Sequence, residues 1–114
     1  MSQPLPPPVE NLTVEDIKTG LAASSIVLVD VREAHEFEAG HIPGSVLVPL
    51  STFQIADIPS AAGRRIVLSC RSGRRSLTAA AMAFEQGLAI DAHYAGGFLD
   101  WVQSGEPVET GLPV

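Results

Sequence analysis

Residues 66–87 read IVLSCRSGRRSLTAAAMAFEQG, and the order of pieces in this segment decides the fold class. Residues 66–69 continue an apolar run of β-branched and Leu side chains, the pattern of a strand covered on both faces, as in a parallel sheet. Residues 76–86, SLTAAAMAFEQ, are rich in Ala, Leu and Met and predict a helix with Ser76 as its N-cap and Gly87 at its end. Between strand and helix lie Cys70, Arg71, Ser72, Gly73, Arg74 and Arg75. A loop that leaves the carboxyl end of a strand and enters a helix N-terminus aims unpaired N–H groups at whatever sits there. Cys70 occupies that position.

The flanking sequence repeats the alternation. Thr13 can cap a helix whose apolar positions Val14, Ile17, Leu21 and Ala22 share one stripe, with Glu15 and Asp16 in the first turn, ending near Ser24. Residues 26–29, IVLV, read as a second buried strand. A short helical turn over 34–38 should stop at Gly40, and Pro43-Gly44 marks a turn before the apolar stretch 46–48. Another helical turn is expected within 51–58, ended by Pro59. A short strand over 91–94, a tight turn at Gly96-Gly97 and a last helix over 98–103 complete the pattern. Strands alternating with helices predict an α/β domain with a mainly parallel sheet and helices on both faces.

The chain has 114 residues, 46% of them hydrophobic, enough for one core without metals or disulfides. Six of the nine prolines gather at the two ends, between Pro4 and Pro8 and between Pro107 and Pro113, which suits extended arms. The expected organisation is a Pro-rich arm over 1–10, one domain over 11–108 and a tail over 109–114. Net charge is −6, which gives no support to a general affinity for nucleic acid or an anionic membrane. The opening MSQPLPPPVE has neither a basic nor an apolar leader region, and no stretch approaches the ~18 apolar residues that span a bilayer. A cytoplasmic protein is expected; one cysteine cannot form an internal disulfide.

Only seven cationic residues exist, and Arg71, Arg74 and Arg75 fall within five positions of the single cysteine. Loop N–H groups, the helix dipole and guanidinium charge should each favour a Cys70 thiolate. Gly73 lets the loop curl so that N–H groups converge into an anion-binding nest. The arginines suit a sulfur-containing oxyanion such as thiosulfate, and Ser72 and Ser76 are candidate hydroxyl donors at the rim. A lone cysteine after an apolar strand is often just a small buried hydrophobe, but that role has no use for three arginines and a glycine. At least one arginine is expected to be a solvated surface side chain. His41 is assigned to packing or a backbone hydrogen bond. His35 and His93 share no close spacing with each other or with Cys70, so no metal site is expected. Phe98, Leu99 and Trp101 should pack the last helix onto the core, with a secondary reading for Phe98 as a substrate-lining residue.

Three segments together resemble the rhodanese family of single-domain sulfurtransferases. LVDVREAHEFEAGHIPGSVLVPL, residues 28–50, is similar to its N-terminal signature, a strand ending in Asp-x-Arg followed by Gly-His-Ile-Pro-Gly. IVLSCRSGRRS, residues 66–76, resembles its active-site loop, and YAGGFLDWVQSGEPV, residues 94–108, its C-terminal signature. The resemblance implies a rhodanese-like fold and a catalytic Cys70 that takes sulfane sulfur from thiosulfate or a polysulfide. A loop from Arg71 to Arg75 would hold the persulfide, and cyanide or a thiol would accept the sulfur. It implies supporting roles for Asp30 and Arg32. Asp30 could accept loop N–H or arginine hydrogen bonds, and Arg32 could pair with Glu33, Glu36 or Glu38. No cofactor or metal is needed. The same loop could instead serve a persulfide carrier loaded and unloaded by protein partners. A phosphatase branch of the same fold uses Cys-x5-Arg, whose arginine would fall where this chain has Ser76, so phosphatase activity is not expected.

Overall fold

The computed structural model describes residues 5–112; residues 1–4 and 113–114 of the expected arm and tail, Pro4 and Pro113 among them, lie outside the described residues. In chain order the elements are β1 (Glu10–Leu12), α1 (Val14–Ala22), β2 (Ile26–Asp30), α2 (Ala34–Ala39), β3 (Val46–Leu47), β4 (Arg65–Ser69), α3 (Arg74–Glu85), β5 (Ala92–Tyr94) and α4 (Gly97–Gln103). Two 3₁₀ turns, Leu50–Thr52 and Ile55–Asp57, stand where one helical turn was expected. Among the described residues no helix is long and apolar enough to cross a membrane.

The strands form one sheet in the order β1-β5-β4-β2-β3, and every pair is parallel. Alternation along the strands splits the core in two. Val27, Val29 and Leu68 face α3, packing with Ala79, Ala80 and Ala83, whereas Ile26, Leu28 and Val67 pack with Ile17 of α1 and Trp101 of α4. The run of five buried residues in β2 is therefore a strand with helices on both faces, as its unbroken apolar sequence implies. From β2 the chain steps outward to β3, then crosses back to place β4 on the other side of β2. This reversal is a topological switch point, and the carboxyl ends of β2 and β4 flank the crevice where such sheets build their sites.

Local chemistry sets the ends of the elements. Thr13 and Asp16 form a reciprocal capping box at α1, with Thr13 N to Asp16 Oδ2 at 2.9 Å and Asp16 N to Thr13 Oγ1 at 3.3 Å. The helix after Cys70 begins at Arg74, two residues before the expected start, and its cap position is Gly73 rather than Ser76. Gly73 has φ +91°, a left-handed conformation that turns the chain into the helix early. β1 was not foreseen. Three residues after a proline-rich lead carry too little pattern to announce a strand, and β1 exists because β5 offers an open edge to pair with. Near the other end, His41 and Glu109 exchange two backbone hydrogen bonds, and the Gly111 N–H donates to the Glu38 carbonyl at 2.8 Å.

Candidate active site

Cys70 directly follows β4 at the switch point, with its side chain 1% exposed. The Gly73 N–H donates to its Sγ at 3.1 Å, and the Ser76 hydroxyl lies 3.6 Å away. Ser76 is the third residue of α3, and helical side chains lean toward the N-terminus, so its hydroxyl points back at the sulfur. Burial pushes the Cys70 thiol up, but donors outweigh it: the Ser76 N–H and hydroxyl, then the Ser72 and Gly73 N–H groups, bring the thiol below its ordinary value.

The loop is held from the opposite side by the glycine pair. Phe98 N–H donates to the Cys70 carbonyl at 2.8 Å and Leu99 N–H to the Arg71 carbonyl at 3.0 Å. Gly97, at φ +64°, allows this approach: a Cβ there would sit 2.5 Å from both carbonyl oxygens. The first amides of α4 thus fix the carbonyls of Cys70 and Arg71, which leaves the loop's N–H groups turned toward the sulfur.

The three loop arginines separate. Arg71 and Arg74 are exposed, and Arg71 borders a cleft of about 530 Å³ that Arg32, Glu36, Phe98 and Leu99 also line. Arg75 is not one of the solvated side chains. It lies instead in the first turn of α3, and its guanidinium grips the Glu36 carboxylate of α2 with contacts of 2.6 and 2.9 Å. That hydrogen bond is the chief reason the Glu36 carboxyl falls to about 2. Ser72 is exposed at the rim.

Asp30 and Arg32 form a buried pair at the end of β2. Asp30 receives the Arg32 backbone N–H at 2.9 Å and the Nη2 at 2.8 Å, with Nε 3.1 Å from both carboxylate oxygens. The expected pairing of Arg32 with Glu33, Glu36 or Glu38 is corrected by this geometry, because Asp30 is two residues away on the same strand end and already desolvated. Nη2 also donates to the Gly40 carbonyl at 2.8 Å, and the guanidinium lies 4.3 Å over the Phe98 ring. One buried cation therefore joins β2, the end of α2 and α4. His41 stacks on Phe37 with ring centroids 3.7 Å apart, and its Nδ1 lies 2.8 Å from the Phe37 carbonyl. Trp101 is buried, whereas Leu99, expected in the core, is 37% exposed beside the cleft.

Sequence spacing missed His93. It lies on β5, next to β4 in the sheet, with its ring on the α3 face, and its Nδ1 is 2.7 Å from the Ser76 hydroxyl. Only strand order reveals this proximity, since His93 is 23 positions from Cys70 in the chain. Among the described residues no group of three His, Cys, Asp or Glu side chains could hold a metal.

The rhodanese-like domain model matches residues 13–104. The chain belongs to the rhodanese family. It is 30% identical over 112 residues to a thiosulfate:glutathione sulfurtransferase of Saccharomyces cerevisiae, covering 85% of this chain and 81% of the relative. It is 39% identical over 83 residues to an uncharacterized protein of Synechocystis, covering 73% of this chain but only 46% of that longer relative. Among solved structures, a rhodanese-related protein of Thermoplasma volcanium superposes with a TM-score of 0.72 at 26% identity, covering 88% of this chain and 97% of that one. This rhodanese domain has the family's α/β architecture with its parallel sheet, and sulfur transfer is the general class of chemistry that the family and its sulfurtransferase relatives support.

Proposed function

We propose that this rhodanese domain transfers sulfane sulfur from thiosulfate or a polysulfide to a thiophilic acceptor such as cyanide or a thiol, through a persulfide on Cys70. The observation that carries the reading is the convergence of N–H and hydroxyl donors on a buried sulfur whose thiol they bring below its ordinary value. In the first step the Cys70 thiolate attacks the outer sulfur of thiosulfate. A sulfur–sulfur bond forms to Cys70, the bond to the sulfonate breaks, and sulfite leaves with the electron pair. The persulfide anion then takes the place of the thiolate among the donors, which stabilise it as they would an oxyanion. In the second step the acceptor attacks the outer sulfur and Cys70 departs as the thiolate.

Arg71 supplies positive charge at the cleft mouth for an anionic donor, with Arg74 exposed on the first turn of α3. Asp30 and Arg32 shape the crevice, and Arg75 anchors α3 to α2 through Glu36. The name of the yeast relative, a thiosulfate:glutathione sulfurtransferase, favours thiosulfate as donor and a thiol as acceptor. The exposed apolar side chains of Leu99, Val102 and Val108 at the cleft favour a second reading, in which the sulfur passes to a thiol on a partner protein. Intact mass after brief exposure to thiosulfate tests the first step. A gain of one sulfur atom, removed by cyanide and absent in Cys70→Ser, is expected; an unmodified wild-type chain refutes it. Steady turnover with small donors and acceptors separates the enzyme from a carrier that turns over only with a protein acceptor.

A further inference from the structure

The persulfide chemistry leaves the buried His93 beside Cys70 without a task. His93 is 2% exposed, and both of its ring nitrogens are engaged. Nε2 lies 2.8 Å from the Asn11 Oδ1 of β1, and Nδ1 lies 2.7 Å from the Ser76 hydroxyl, which itself contacts Cys70 Sγ at 3.6 Å. An amide oxygen can only accept, so Nε2 carries the proton and Nδ1 presents a lone pair. Ser76 must then donate to Nδ1, and its oxygen is free to accept from the Cys70 thiol. Every donor along the line Cys70, Ser76, His93 has an acceptor facing it. This is the arrangement of a nucleophile, a base and a group that orients the base, with a hydroxyl inserted between the first two.

We propose that His93 is a positioning residue that, acting through Ser76, holds the proton Cys70 gives up when it becomes the attacking thiolate, with Asn11 fixing the tautomer that makes this possible. The proposal rests on the reading of Cys70 as the sulfur-carrying nucleophile. In the step, the Cys70 S–H bond breaks as an O–H bond forms at Ser76, and the original Ser76 O–H bond breaks as Nδ1–H forms. No electron is gained or lost. The Ser76 hydroxyl is regenerated, now donating to the thiolate, and the imidazolium donates from both nitrogens, to Ser76 and to Asn11. Departure of the outer sulfur to the acceptor restores the thiolate, and the same two transfers reversed return the proton.

The surroundings suit a reversible proton store. Burial holds the imidazole below its ordinary value and so opposes the cation, which keeps a stored proton loosely held and readily returned. The groups hydrogen-bonded to it are the neutral amide of Asn11 from β1 and the Ser76 hydroxyl from α3, which in turn contacts the thiol at the end of β4. Of the charged groups around this site, Arg75 feels the Cys70 charge but is shared with Glu36, and Glu10 and Asp91 are taken by Arg65. In the proposed relay imidazole and thiol titrate as one coupled system, and what is observed belongs to the pair.

The test uses the full chain, following the pH dependence of Cys70 alkylation by iodoacetamide and of thiolate absorbance. His93→Gln keeps a hydrogen-bonding side chain but cannot store a proton. It should raise the thiolate midpoint by about one unit, a roughly tenfold loss of alkylation rate on the acid limb. Asn11→Asp, at an exposed position of the edge strand, guards against a misfolded His93 variant. A carboxylate accepting from Nε2–H makes Nδ1 the stronger base and favours the thiolate–imidazolium pair, which should move the thiolate midpoint down by about half a unit or more. A bare negative charge with no relay would move it up. At a fixed pH above the thiolate midpoint, ring-nitrogen NMR should find a proton on Nδ1 in the wild type and none in Cys70→Ser. Unmoved midpoints in both variants, or a raised midpoint in Asn11→Asp, overturn the relay. These readouts need no sulfur donor, so a chain that takes no sulfur from thiosulfate refutes the proposed transfer while leaving the midpoints to decide the relay on their own.

Discussion

Replacing Gly97 with alanine should damage both the stability of the domain and the chemistry of Cys70, and the structure sets the scale. Gly97 has φ +64°, where a side chain costs about 1–2 kcal/mol. The added Cβ would also sit 2.5 Å from the carbonyl oxygens of Cys70 and Arg71, far inside the ~3.5 Å of ordinary atomic contact, and backbone cannot rotate away as a side chain can. Relief requires the loop to retreat, which stretches the bonds from Phe98 N–H and Leu99 N–H, each contributing roughly 0.5–1.5 kcal/mol net. The sum is about 3 kcal/mol, a large fraction of the 5–15 kcal/mol typical of a domain. Gly105→Ala is the control: Gly105 has φ +75° but no atom within 4 Å of its would-be Cβ, so it reports backbone strain alone. Urea unfolding followed by the fluorescence of Trp101 gives the stability difference, and the pH dependence of Cys70 alkylation reports whether the loop's donors still converge. Gly97→Ala should lose about 2 kcal/mol more than Gly105→Ala and shift its alkylation midpoint toward the ~8.5 of a free thiol. Equal losses in the two variants, with an unchanged alkylation profile, would refute the argument that the glycine pair shapes the sulfur site.

Arg71→Ala should raise the KM for thiosulfate several-fold to about tenfold and weaken its salt dependence, since one exposed guanidinium contributes ~1 kcal/mol to an anion at a partly exposed site; kinetics at low and high salt check it. Arg75→Ala should act mainly on stability, measured by urea unfolding, because its guanidinium is committed to Glu36. A depressed carboxylate stabilises the fold above its ordinary value of 4.5, and the contribution is lost as pH falls through about 2. Between those limits wild type should lose more stability than Glu36→Gln, by less than ~1 kcal/mol because the pair is partly exposed. Asp30→Asn leaves Arg32 buried without its counterion and should cost about 3–5 kcal/mol in urea unfolding, more than any of the surface changes.

What the sequence made legible was whatever runs continuously along the chain. The apolar runs of β2 and β4, the Thr13 cap and the Ala-rich body of α3 all follow from local pattern, and together they suffice for a parallel α/β fold. Cys70 could be placed at a strand end for the same reason. The pairings made across the sheet were not legible. β1 depends on the edge that β5 leaves open, Arg32 turns to Asp30 because the strand end buries both, and His93 meets Ser76 only because β5 lies beside β4. Ser76 illustrates the limit most sharply. Its residue type announces an N-cap, but the left-handed Gly73 starts the helix two residues sooner and carries Ser76 into the first turn, where its hydroxyl faces the sulfur.

That displacement bears on the reactivity proposed for Cys70. Three arginines after a cysteine suggest that guanidinium charge holds the thiolate, yet two of them are exposed to solvent, where charge is screened, and the third shares its charge with Glu36. A buried sulfur gains little from such cations and would be pushed toward the neutral thiol by desolvation alone. The opposing effect comes from groups that add no net charge: the N–H groups of Ser72, Gly73 and Ser76 and the Ser76 hydroxyl. The positions of the N–H groups are set by the turn at Gly73 and by the contacts that α4 makes with the Cys70 and Arg71 carbonyls, so these donors need not reorganise when the sulfur becomes an anion. Thiolate and persulfide are both large, diffuse anions, and a ring of fixed dipoles accommodates either one in turn. In the proposed reaction Arg71 and Arg74 would then govern which donor arrives, while the glycines at 73 and 97 would govern whether Cys70 can react with it.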